Sequence, residues 1–345
     1  MDKLVAIAVL VACSGGKAPV TGAPPTSKPV ASPAAPRSPI LVVANKAENT
    51  VSVLELPGGA ELAKLPTGNG PHEIAIAPDG KRAVISNYGD QTPGSSLTVI
   101  DLEGLRVAST IDLGEFRRPH GIAFLDGKHV VVTAEVNSAV VVVDVDAGKV
   151  TRSMATTQQG SHMLTLSPDR KRVYSANMKS GTITAIDVEA GTSGEPAPST
   201  ATSEAIAITP DGKQVWTASL TGDTIVVLDA TRGLARIAEL PALGAPIRVT
   251  PVPDGSAMLV SNVKASKLQL IAVATRDVVT IDIPATNGDT AAPLGSVVST
   301  DSKTAYVALV AEDRVAVIDL ATRTITGHLP VGKGPDGIAY YARAP

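Results

Sequence analysis

Aromatic residues are scarce in this 345-residue chain: two Phe, one Trp and five Tyr, 2% in all. That supply argues against a stacking groove for single-stranded nucleic acid or for sugars, which depends on aromatic platforms. With one cysteine, Cys13, no disulfide forms within the chain. Charge is thin as well, at 18% of residues and a net −3. Neither nucleic acid nor a polyanion is therefore an expected partner. The chain also has no Ser–His–Asp spacing, phosphate loop, dinucleotide fingerprint or C-x-x-C-H haem motif. The apolar run from Leu4 to Ala12 is too short to span a bilayer.

What remains is 44% hydrophobic, ample for a large core, and it is periodic. The stretch from Ser203 to Arg232, SEAIAITPDGKQVWTASLTGDTIVVLDATR, reads as three short strands separated by tight turns. Copies start at Pro71, Pro119, Ser161, Ser203, Pro246, Pro293 and Pro335, 42 to 48 residues apart. The first copy lacks its first strand and begins at Ile40, while the last breaks off after one strand. The two fragments complete each other, which predicts an all-β, seven-bladed propeller of four-stranded antiparallel blades. Pairing of the C-terminal strand with the N-terminal strands closes the ring and removes the exposed edges.

SANMKSGTITAIDVEAGT, TASLTGDTIVVLDATR and VANKAENTVSVLEL resemble the YVTN-repeat β-propeller family over about 300 residues. The resemblance implies the seven-bladed fold and leaves the activity open, because propellers host many functions.

Residues 1–12, MDKLVAIAVLVA, fit a signal-peptide core, and Leu10-Val11-Ala12-Cys13 is similar to the bacterial lipobox. That resemblance implies lipidation of Cys13 and, with Ser14 after it, the periplasmic side of the outer membrane. Residues 13–39 carry the lipidated Cys and a Pro/Ala-rich tether, too polar and Pro-rich to offset its chain entropy by burial. Residues 40–345 form the propeller. The expected state is a monomer held to the membrane by the lipid anchor only.

Most repeated polar residues have structural explanations. Asp79, Asp126, Asp169, Asp211, Asp254 and Asp301 follow the first strand of each copy and bond their own backbone, with Gly80, Gly127, Gly212 and Gly255 supplying permissive φ. Asp101, Asp144, Asp187, Asp229 and Asp319 cap the turn after the third strand. Tyr174, Trp216 and Tyr306 share one position and fill the space between blades.

One position varies. Directly after each start stand His72, His120, His162, Glu204, Ile247, Leu294 and Asp336. Three of the five histidines thus share one slot in consecutive copies, where the innermost strand enters the central channel. The second strand ends on the same face, which gathers His72 and Glu73, His120 and Glu135, His162 and Asn177, then Glu204 and Arg248 at one mouth. Asn87 and Tyr88 join them from a hairpin lengthened from Asn87 to Ser96. His129 and His328 receive no role. His72, His120, His162 and Glu204 are a ligand set that suits Zn, Cu or Fe. The same groups suit an anionic small molecule or acid–base work near neutral pH. A Pro-His turn whose imidazole only bonds a neighbouring carbonyl is the competing structural explanation.

Two functions follow as expectations. The first is a binding or scaffold module that engages a protein or small-molecule ligand at the His/Glu mouth. The second is a metal- or cofactor-dependent enzyme or enzyme subunit. Similar propellers include lactonases, amine-dehydrogenase heavy subunits and the haem d1 domain of nitrite reductase.

Overall fold

The computed structural model describes residues 38–342 apart from 287 and 289. The expected signal peptide, Cys13 and the tether up to residue 37 lie outside the described residues. Within them the chain is all-β, seven antiparallel sheets arranged as blades. The innermost strands begin at Pro71, Pro119, Ser161, Ser203, Pro246, Pro293 and Pro335, the residues at which the repeat begins in sequence. Each inner strand touches the next, and the last touches the first, which closes the ring. Blade 1 is the composite one, in which Pro335–Tyr341 pairs antiparallel with Ile40–Asn45.

Strands of a propeller are buried on both faces, so their side chains, alternating with period two, serve two different interfaces. In Ile40–Asn45, Ile40, Val42 and Ala44 pack towards blade 2, whereas Leu41 and Val43 pack towards blade 7. Among the described residues, seven buried apolar clusters form, one for each blade–blade interface. Tyr174, Trp216 and Tyr306 sit in three of them, as their shared position predicted.

The turns on the far face follow the sequence pattern. In the six turns after the first strand, the Asp carboxylate accepts from the backbone N–H two residues on, as Asp211 does from Lys213 at 3.0 Å. The five third-strand aspartates cap the next turn by accepting from a backbone N–H two or three residues on. Gly80, Gly212 and Gly255 adopt φ of 69°, 72° and 78°. Gly127 is not left-handed, contrary to expectation, because the turn from Leu125 to His129 is one residue shorter than its counterpart from Ala77 to Arg82. Blade 4 departs at its rim, where Thr192–Ser193 and Ala197–Pro198 replace one continuous outer strand. Pro196 and Pro198 have no N–H to give a ladder, and an edge strand tolerates that.

Candidate functional site: the axial channel mouth

In all seven blades the pairing of the inner strand with its neighbour slips by one residue just after the start. Pro71 faces Asn87, yet Ile74 faces Ile85; the same slip recurs at Pro119, Ser161, Ser203, Pro246, Pro293 and Pro335. A bulge of this kind re-aims a side chain. Here it falls on the slot, and all seven slot side chains line one cavity of about 320 Å³ on the axis. Buried hydroxyls pin the bulges across blades: Ser86 Oγ donates to the His120 carbonyl at 2.7 Å, and Thr133 Oγ1 to the His162 carbonyl at 2.6 Å.

The three imidazoles form a stack. Ring centroids of His72 and His120 are 4.0 Å apart, and those of His120 and His162 are 3.7 Å apart. At one end His162 is held on both nitrogens, Nδ1 to Glu135 Oε2 at 3.1 Å and Nε2 to Glu204 Oε1 at 2.9 Å. Two carboxylates facing both ring nitrogens require both to donate, so His162 is an imidazolium. Burial alone would lower its pKa, but the two hydrogen-bonded carboxylates outweigh burial and lift it to about 9. Burial alone would likewise raise Glu135, and the bond to His162 brings it below its ordinary value.

The other end of the stack is neutral. Burial, above the opposing pull of Asp336, lowers His72 to about 3. Burial and then the charge of His162 hold His120 well below its ordinary range. Their Nε2 atoms lie 3.1 Å apart. Both Nδ1 atoms are buried without a hydrogen-bond partner, as is Glu204 Oε2. Asp336 Oδ2 is 3.4 Å from His72 Nδ1 but is not aligned for a bond, and it takes Lys46 Nζ at 3.1 Å. Tyr88 stands edge-on to the stack, 5.2 Å from His72 and 5.3 Å from His120, and donates its O–H to Glu135 at 2.8 Å. The lengthened hairpin puts it there, its ladder continuing to Gly89 opposite Pro93.

One residue deeper along the inner strands the blades alternate in size. Blades 2, 4 and 6 carry Glu73, Met163 and Arg248, while blades 1, 3 and 7 carry Gly337, Gly121 and Gly295. A Cβ on Gly121 would stand 2.6 Å from the Leu164 backbone nitrogen, so the small residues let neighbouring strands close up. The large ones meet across the axis, where Arg248 pairs with Glu73 and reaches the Met163 sulfur at 3.7 Å. Burial raises Glu73, and Arg248 opposes that shift.

The structure thus brings His72, Tyr88, His120, His162, Glu204 and Arg248 to the cavity wall, with Glu73 and Glu135 behind them as their partners. It takes two expected residues away. The amides of Asn87 and Asn177 are turned into their own blades, where they donate to Ser96 and Thr98, and to Thr182 and Thr184. It also divides the expected metal set, because His162 has both nitrogens committed to carboxylates. Among the described residues, the groups whose ligand atoms converge within 4.8 Å are His72, Glu73 and His120. Lys46 and Met163 are wall residues that the sequence reading passed over. The position after the slot was the signal for Met163; nothing in the repeat singles out Lys46.

No protein-family model and no curated protein sequence matches the chain. Among solved structures, a chain titled Kuenenia stuttgartiensis hydrazine synthase aligns with a TM-score of 0.68 at 18% identity, over 80% of this chain and 96% of that one. The likeness is one of fold: this chain is a seven-bladed β-propeller.

Proposed function

We propose that this protein is a binding module of the bacterial cell envelope, a YVTN-type propeller lipid-anchored through Cys13, that holds a small polar ligand in its axial mouth. The observation that carries the reading is the cavity itself. Seven equivalent positions converge on it, and they differ: His, Glu and Asp line one arc, Ile247 and Leu294 the other. Three buried polar atoms on the polar arc have no partner, a costly state that a ligand relieves. A volume of about 320 Å³ is at the small end of ligand pockets, which favours a metabolite-sized molecule over a protein segment. Its polar end faces the imidazoles, Glu204 and Arg248, and its apolar side lies on Ile247 and Leu294.

A thermal-shift screen of small carboxylic acids, amino acids and sugars tests the site. The expected outcome is a chemical class that raises Tm in the wild type and loses its effect in Leu294→Trp, whose larger side chain fills the cavity. Equal shifts in both proteins, or none in either, would sink the reading. The anchor has a separate test: Cys13→Ala is expected to move the protein from the membrane fraction to the soluble one, and full retention on the membrane would refute lipidation.

A further inference from the structure

We infer that His72, His120 and Glu73 form a binding site for a divalent first-row transition metal at the polar end of the axial cavity. The inference rests on the cavity being the functional site, and it names what part of that site holds.

Metal–imidazole bonds are about 2.0–2.1 Å, so two Nε2 atoms on one ion at the observed 3.1 Å separation subtend roughly 100° at it. That angle lies between octahedral and tetrahedral geometry. Glu73 supplies the carboxylate: one ligand atom from each of the three side chains lies within 4.8 Å of the others, and Glu73 Oε1, which Arg248 grips, is 3.7 Å from His72 Nδ1. Two imidazoles and one carboxylate suit Zn²⁺ or Fe²⁺ and leave positions open towards the cavity.

The surroundings agree with this assignment. Histidines that bind metal through one nitrogen donate the other N–H to a carboxylate; Asp336 Oδ2, 3.4 Å from His72 Nδ1 and not aligned for a bond in this structure, is within reach of that part. A single shared proton between the two Nε2 atoms leaves one Nδ1 bare and the other protonated, both buried. An ion on both Nε2 atoms sets both Nδ1 atoms as donors, and for His72 an acceptor is at hand. The competing site is on the surface, where His129 lies 2.9 Å from Asp126 and 3.9 Å from Asp144.

The test is Zn²⁺ calorimetry and Co²⁺ absorption on the full, untagged chain in detergent after chelator treatment. The expected result is one ion per chain with a Co²⁺ d–d spectrum. His72→Asn and His120→Asn should each weaken Zn²⁺ binding by at least about 100-fold, and Asp336→Asn by about 10- to 100-fold. His129→Asn should change nothing. Because a ligand variant can lose its fold, Asp336→Asn, which leaves all three ligands in place, provides a second readout. Absence of stoichiometric binding in the wild type, or binding abolished by His129→Asn instead, overturns the metal site. If small-molecule stabilisation that Leu294→Trp abolishes survives in such metal-free protein, the ligand pocket stands and the metal alone falls.

Discussion

The two faces of this propeller treat a repeated position in opposite ways. On the far face, the six first-strand turns repeat one Asp, and each spends its carboxylate on its own backbone. At the channel mouth, seven equivalent slots carry five different residue types, and their side chains meet one another. A residue that every blade repeats serves the blade. A residue that changes at a fixed place is released from that duty, and the ring geometry brings it face to face with its counterparts. The contrast sharpens within the slot. His72 and His162 occupy the same backbone position two blades apart, yet one is held neutral and the other charged. Their partners decide: Asp336 is misaligned with His72, whereas Glu135 and Glu204 both bond His162.

The largest effect should come from His162. His162→Leu leaves Glu135 and Glu204 buried without their shared cation, and the expected loss is about 3–5 kcal/mol in urea unfolding. Adding Glu135→Gln and Glu204→Gln should recover much of it; no recovery would mean that packing, not charge, was lost. The same protein can be read by pH. His162 has a folded pKa of about 9 against an ordinary 6.5. Its contribution, on the order of 3 kcal/mol, is therefore complete below pH 6.5 and is lost as pH rises through 9. His72 runs the other way: with a folded value of about 3, it removes stability as pH falls from 6.5 towards 3. Unfolding measured from pH 4 to 10 should show both limbs in the wild type and only the acid one in the variant. An alkaline limb that persists in His162→Leu would show that the imidazolium is not its cause.

The smallest effect belongs to the far face. Asp211→Ala removes an exposed carboxylate that bonds Lys213 N–H and the Thr209 hydroxyl. The expected cost is about 0.5–1.5 kcal/mol, with no change in ligand or metal binding. A change in binding there would erase the distinction between the faces.

The fold was legible because its determinants are local and repeated. Runs of β-branched residues, Asp-Gly turns and a period of 42 to 48 residues state each blade several times over, and the incomplete first and last copies state the closure. The slot was legible for the same reason, since alignment of the copies isolates it. The roles of the slot residues were not. Asn87 and Asn177 lie beside the mouth, but hydroxyls on the neighbouring strand, one directly opposite and one two positions along, claim their amides. Lys46 belongs to the first hairpin and meets Asp336 only because the ring closes, 290 residues further along the chain.

The sequence by itself determined the number of blades, their order and the closure, because each depends on local strand and turn chemistry repeated along the chain. Only the tertiary structure decided which polar groups share the axis, which histidine carries a positive charge, and that Glu73 rather than Glu204 converges with His72 and His120. Those outcomes depend on ångström-scale distances between side chains from different blades, and on burial that only the closed ring imposes.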